Sequence, residues 1–466
     1  MEWHGSFFER ILKIMHGSTD LTIGRPRQQI IFFSLPLVFG TVFQQLYSFI
    51  DSIIVGRLIS SEALGSVGTT YSLSFLIIGF VQGFCVGLGI PIAQSFGAHH
   101  TKDIQQYFWN SVYLCIIIST VFGFGMTILT PILLTIMHTP QQLLPAAIAF
   151  IQPQFTWIGI TVLYNFSASV LRAFGDSKHP FYFLVGASLL NILLDLFFVG
   201  NLKLGVRGAA YATLIAQFIS GLANIFWLVT KINMIKFKKK YLAFSSHYFY
   251  RLIYISVPMG LEYSISAIGA IIMQLAINAL GPQVVIAQTA GEKIRQMFTL
   301  PMESVGMGMA TFISQNYGAK KIQRIRQGIH DGVTIQVGYC IFCIAVIMLS
   351  ATPLSYLVIG KNQHLIQLSA RYLRLMSLTF FFHGSLMIYR NTLQGLGFSI
   401  EAVLSGVGEL IGRSCGSLIA IVLMSFTAVC FINPVAWSLS LLYCYWMVNR
   451  KLANITTSLT SDQRRL

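Results

Sequence analysis

The residues that could do chemistry in this chain are acids set inside apolar runs. The run Ser34 to Gly56, SLPLVFGTVFQQLYSFIDSIIVG, is long enough to cross a bilayer and carries one carboxylate, Asp51, and one proline, Pro36. A spanning helix takes ~20 mostly apolar residues, and an acid at its centre costs roughly 2.5–3.5 kcal/mol on insertion scales. A group kept at that cost faces a watery cavity, meets a partner and takes part in moving an ion or a substrate. Near the far interface water would solvate it, and no such role would be needed. Asn191 and Asp195, in SLLNILLDLFF, are four apart and share a helix face, from which an amide and a carboxylate can turn toward Asp51. Such oxygens suit a hard cation, and two neighbouring carboxylates raise one another's proton affinity, which suits proton coupling. The plainer alternative has Asn191 and Asp195 capping or bridging helices near an interface.

Glu262, Glu292 and Glu303 fall in the seventh and eighth apolar segments and are candidates to line a cavity and attract a cationic substrate. Lys293 and Arg295 flank Glu292, so local neutralisation is the simpler reading there, whereas Glu303 has no adjacent base. Glu409 and Arg413 are four apart with the acid first, the favourable order for a structural pair within one helix. His383 either titrates near neutral pH or hydrogen-bonds a neighbouring helix. Met302, Met307 and Met309 either form an adaptable apolar wall or fill gaps. All seven cysteines lie in apolar segments, so neither a disulfide framework nor a zinc site is implied, and the CxxC of Cys340 and Cys343 reads as packing. No catalytic nucleophile, phosphate loop or metal cluster is visible, so neither ATP drive nor a cofactor is expected.

These groups must be positioned by membrane helices. The 466 residues are 55% hydrophobic and 10% charged, against about 25% charged in a soluble domain. Lys and Arg outnumber Asp and Glu by 31 to 15, which cation-rich cytoplasmic loops explain better than nucleic-acid binding. Met1 to Gln28 reads as a short amphipathic helix on the cytoplasmic surface. Six apolar segments occupy 29–230, a basic linker spans 231–250, and six more occupy 251–448; the polar tail, 449–466, reads as unstructured and cytoplasmic. Alternate connections collect the cations, among them Arg172, the central basic loop, Lys320, Lys321 and Arg390, so both termini are expected in the cytoplasm, with about twelve spans between them.

The halves repeat. Ser34-Leu-Pro36 falls on Ser256-Val-Pro258, Gln94-Ser-Phe-Gly-Ala98 on Gln315-Asn-Tyr-Gly-Ala319, and Leu171-Arg-Ala-Phe-Gly175 on Leu393-Gln-Gly-Leu-Gly397, always 221 or 222 residues apart. Each unit has an even number of spans, so the units should be related by a pseudo-two-fold axis along the membrane normal and rock about a midplane site. The glycines of LRAFGDSKHP and LQGLGFSIE are expected in tight turns that need positive φ, with Asp176 and Lys178 as turn and surface groups.

The order of LPLVFGTVFQQLYSFIDSIIVGR, GLGIPIAQSFGA, LRAFGDSKHP and NILLDLFFV followed by GVRGAAYAT resembles the multidrug and toxic compound extrusion (MATE) family, its bacterial members in particular, over roughly Gln28 to Arg450. The resemblance implies an all-α integral membrane fold of two six-helix lobes. It also implies antiport, with Na⁺ or H⁺ entering as an organic, often cationic, compound leaves. By position it places the cation site on Asp51, Asn191, Asp195 and Thr213, with Tyr47 one turn before Asp51; Tyr47, Glu262 and Glu303 are substrate-cavity candidates. The chain departs from the NorM-like branch: Glu262 follows Pro258 by only four residues, and Leu365 to Leu393 holds no acid, only His383. Dependence on a C-lobe carboxylate pair is therefore not expected, and the N-lobe site carries the coupling. The expected protein is a monomeric exporter of amphipathic cations in the cell membrane, touching lipid and no nucleic acid. A flippase for a lipid-linked sugar and, further off, a membrane-embedded enzyme are the alternatives.

Overall fold

Apolar runs in a bilayer must satisfy their backbone groups internally, and helices do so within one segment. The computed structural model describes residues 20–232, 235 and 241–463, and these are helical throughout apart from turns. In the first half the helices are α1 (Pro26–Leu58), the short α2 (Ser61–Thr69), α3 (Tyr71–Gly97), α4 (Thr101–Ile136), α5 (Leu144–Thr156), α6 (Ile158–Ala173), α7 (Lys178–Asp195) and α8 (Val206–Trp227). The second half has α9 (Ser246–Ala279), α10 (Pro282–Gly318), α11 (Ile322–Ile359), α12 (Gln363–Ser377), α13 (Phe380–Gly395), α14 (Ser399–Leu423) and α15 (Phe426–Gln463). Nine of these are long and apolar enough to cross a membrane, and α5 with α6, bent by 53°, makes a tenth. The more polar α10 and the broken pair α12–α13 complete twelve segments in two lobes of six.

Most of the amphipathic segment expected over Met1 to Gln28 lies outside the described residues, as do 233, 234 and 236–240 of the central basic linker. α1 starts at Pro26, where a missing N–H costs nothing. The tail is not unstructured: α15 runs on to Gln463, well past the end of its apolar run. A helix already nucleated in the membrane continues outward at little cost.

The repeat extends to backbone detail. Both halves break their fourth spanning helix, at Trp157 and between Ser377 and Phe380. Positive φ recurs at matched positions: 58° at His99 and 58° at Lys320, then 81° at Gly175 and 87° at Gly397. The last two are the tight turns expected from the glycines.

The lobes meet at the end of the molecule where the described chain begins and ends. There Gly97 lies against the carbonyl of Gln315 and Gly318 against the carbonyl of Gln94, so the two repeated motifs touch each other reciprocally. The Gln94 side chain donates to the Gly395 carbonyl at 3.0 Å and the Gln315 side chain to the Ala173 carbonyl at 2.9 Å. Gly87 packs on Ser256 and its counterpart Gly308 on Ser34. Arg324 and Lys321 bind the carbonyls of Leu21 to Gly24, fastening the approach to α1 onto the C-lobe. Toward the other end each lobe keeps its own core, Val55, Ala63, Val199 and Ala209 in one and Met273, Ile277, Val429 and Ile432 in the other.

Candidate functional site

In the N-lobe, α1, α7 and α8 bring Asp51, Asn191, Asp195 and Thr213 to one place. The Asn191 side-chain nitrogen lies 3.4 Å from the Thr213 hydroxyl, which itself donates to the Ala209 carbonyl at 3.1 Å. Asp195 is the last residue of α7 and is followed by a π-turn, Leu196–Asn201, the wider turn often found at functional sites. Asp195 is 0% exposed. Its carboxyl group lies near enough to that of Asp51 for the two charges to interact.

The donors of this cluster, the Asn191 nitrogen and the Thr213 hydroxyl, are spent on Thr213 and the Ala209 carbonyl, not on the acids. Both Asp195 oxygens, one Asp51 oxygen and the Asn191 amide oxygen are buried without a hydrogen-bond partner. Among the described residues no base forms an ion pair with either acid. Unpaired buried anions are costly, and two carboxylates in contact need a proton or a cation between them. Beside them is a cavity of about 20 Å³ lined by Tyr47, Tyr164, Ser188, Asn191, Thr213 and Gln217. That is room for one water-sized guest. Tyr164, on α6, has no spacing that marks it in the sequence, and the fold sets it beside Tyr47 in the cavity lining.

The C-lobe is built on the opposite rule, with acids balanced by arginines. Glu262 is not a cavity acid: it is buried, 3.4 Å from Arg390, and accepts from Gln394 at 2.8 Å. Arg390 also pairs with Glu409, and Arg413 reaches Glu409 at 3.2 Å. Arg390, counted above among the loop cations, is thus an interior residue of α13. Glu292 pairs with Arg295 at 2.5 Å and accepts from the Tyr372 hydroxyl at 2.8 Å. Glu303 differs, with 48% of its side chain exposed and His383 3.7 Å away. Met302 and Met309 are core, as is the Cys340 and Cys343 pair. Asp176 is no surface group either: it is buried and accepts from the backbone of Lys178 and His179 and from the Trp227 indole.

Comparison with known proteins agrees with this architecture. The family described as MatE matches residues 36–197 and 258–403, one block in each repeat. A protein of Bacillus subtilis (strain 168) named "Probable multidrug resistance protein YpnP" is 28% identical over 312 residues, 66% of this chain and 68% of its own. "Probable multidrug resistance protein YoeA" from the same organism is 24% identical over 426 residues, 89% of this chain and 91% of its own. A solved structure described as the outward-facing conformation of a multidrug resistance MATE family transporter of the MOP superfamily shares the fold, with a TM-score of 0.88 at 20% identity, covering 94% of this chain and 99% of that one. The reading as a membrane-embedded enzyme falls with these matches: the chain belongs to the MatE family and is a membrane transporter.

Proposed function

We propose that this transporter is a multidrug exporter that moves amphipathic, mostly cationic organic compounds out of the cell in exchange for Na⁺ or H⁺ bound at Asp51, Asn191, Asp195 and Thr213. The observation that carries the reading is the pair of neighbouring carboxyl groups inside apolar helices, Asp51 half-buried and Asp195 fully buried, with no ion-pair partner among the described residues and with both Asp195 oxygens and one Asp51 oxygen unpartnered. A proton or a small cation supplies what they lack, and Na⁺ would find carboxylate, amide and hydroxyl oxygens together. The names of the two Bacillus relatives support the substrate class. In this reading the glutamine seam is cytoplasmic, as are both termini, and the protein works as a monomer in the plasma membrane.

α1 connects the ion to the lobes. Its outer half carries Tyr47 and Asp51, and its inner half packs on the C-lobe, with the Thr41 hydroxyl 2.8 Å from that of Ser304. Pro36 removes one backbone hydrogen bond within the inner half and lets the helix bend there. Neutralising the acid pair draws α1 toward α7 and changes its hold on α10. The lobe arrangement then responds to the ion by its differential affinity for the two states.

The test is uptake of a fluorescent organic cation into inside-out vesicles under imposed Na⁺ or H⁺ gradients, for the native chain and Asp51→Asn. We expect accumulation driven by one gradient and a fall of roughly tenfold or more in the variant, the scale of a lost coupling free energy of about 1–3 kcal/mol. Equal uptake by both would remove Asp51 from the mechanism, and movement of a lipid-linked sugar in place of the cation would favour a flippase.

A further inference from the structure

We propose that a cavity between α14 and α15, at the seam end of the C-lobe, binds a membrane phospholipid with an anionic, hydroxyl-bearing headgroup. The phosphate sits on Arg450, and the acyl chains leave along Ile400 and Leu404. The proposal goes beyond the export reading and does not depend on it.

The cavity holds about 330 Å³ and is lined by Ile400, Glu401 and Leu404 of α14 and, from α15, by Tyr443, Arg450 and Asn454 among others. Sites for small molecules run from about 300 to 1,000 Å³. Its end of the molecule is fixed by the turn at Gly397, two residues before α14, which lies against the Gln94 side chain of the seam.

The level of the cavity in the bilayer follows from α15. The apolar run of that helix ends in Tyr443, Tyr445 and Trp446, and Arg450, Lys451 and Asn454 come directly after. Aromatic rings with cations just beyond them mark the headgroup level of a membrane. Tyr445 and Trp446 are exposed, and so are Ile400 and Leu404 on the facing helix. A soluble anion gains nothing from exposed isoleucine and leucine, whereas a lipid covers them with its chains. Basic pockets between spanning helices are the usual seats of anionic headgroups.

Charge and hydrogen bonding select the headgroup. Glu401 and Lys451 pair with each other, and the Lys451 nitrogen also lies 4.0 Å from the centre of the Phe398 ring. The Lys451 charge is therefore spent. Arg450 is exposed, 5.3 Å from the centre of the Trp446 ring, and among the described residues it pairs with no acid. The lining thus carries one positive charge, which a phosphodiester with no cation of its own balances. Two polar atoms remain buried without a partner, the Tyr443 hydroxyl and one oxygen of Glu401. The first donates to a phosphate oxygen, and the second accepts from a headgroup hydroxyl. A glycerol headgroup offers both contacts at once. Choline has no donor for Glu401, and the ammonium of ethanolamine would bring another cation beside Lys451.

The other half of the molecule shows that the fold does not require this cavity. At the repeat offset Arg450, Lys451 and Asn454 fall on Leu228, Val229 and Ile232, and Glu401 falls on His179. There the His179 ring is stacked on that of Trp227, 3.8 Å between centres. The N-lobe packs rings where the C-lobe sets charges around a space.

Native mass spectrometry of the delipidated full chain, titrated in detergent with dioleoyl phosphatidylglycerol, phosphatidylethanolamine or phosphatidylcholine, tests the site. The native chain should hold one phosphatidylglycerol at least roughly tenfold more tightly than either zwitterionic lipid, the scale of a hydrogen bond to a charged group. Arg450→Gln should lose that margin. Tyr443→Phe keeps the ring and should weaken phosphatidylglycerol binding roughly threefold, the scale of one net hydrogen bond. Lys102→Gln, which removes an exposed cation from the same end of the N-lobe, should bind as the native chain does. Equal affinity for the three lipids, a preference for phosphatidylethanolamine, or native affinity in Arg450→Gln would each overturn the proposal. Displacement of the lipid by an equal concentration of glycerol 3-phosphate would also overturn it, in favour of a site for a soluble anion. None of these measurements reads flux, so the export reading stands or falls separately.

Discussion

Gly97→Ala should abolish most transport by a single methyl group. At Gly97 a side chain would enter the space of the Gln315 carbonyl, and at Gly318 that of the Gln94 carbonyl. Both obstacles are backbone atoms, which no rotamer change can clear. Overpacking a tight contact costs about 1–3 kcal/mol, and here the only relief is to part the lobes at the seam. Under the proposed exchange mechanism the state with this end closed is then disfavoured relative to the others, and the cycle loses one of its two openings. We expect flux to drop by roughly tenfold in either variant. Gly186→Ala and Gly338→Ala, where an added carbon meets nothing within 4 Å, should behave as the native chain. Native flux in Gly97→Ala would show that the seam need not close tightly.

Arg390→Met should be the most destabilising single change in the C-lobe. Arg390 stands between Glu262 and Glu409 and also donates to the Ser405 hydroxyl at 2.9 Å. Removing it leaves two buried carboxylates facing each other, and breaking such a pair costs about 3–5 kcal/mol. Only Arg413 and Gln394 remain to help. The triple variant Glu262→Gln, Arg390→Met, Glu409→Gln should recover much of the loss, because replacing every member of a buried ionic group at once is often near neutral. Thermal unfolding in detergent reads both. An Arg390→Met midpoint equal to that of the native chain would contradict the network.

Each acid was legible in the sequence because its own clue is local, while the resemblance to the MATE family was what joined Asp51 to Asn191, Asp195 and Thr213. Asp51 stands alone in an apolar run, and Asn191 and Asp195 stand one turn apart. The repeat was legible for the same reason, as a fixed offset between punctuating residues. In the C-lobe the pairs within one helix, Glu409 with Arg413 and Glu292 with Arg295, were legible; the links through Arg390 were not, since they join α9, α13 and α14, and Arg390 sits so near the turn at Gly397 that a count of loop cations takes it in. Proximity to a turn along the chain does not settle which way a long side chain points. Asp176 was misread for a similar cause: its partners His179 and Trp227 close over it from α7 and α8. The pairing of Glu303 with His383 joins α10 to α13, and neither residue has a local signal that names the other.

The reciprocal contact of Gly97 and Gly318 implies a history. A protein of half this length, pairing with a second copy of itself, would make that contact twice over, as isologous dimers do. The present chain keeps the geometry of such a dimer while its two interiors have taken separate paths. At the repeat offset, Asp51 and Asp195 face Met273 and Ser417, while Glu262 and Arg390 face Gly40 and Ala168. Held in one chain, the two halves need not be identical, and one carries an unbalanced acid pair where the other carries acids balanced by arginines.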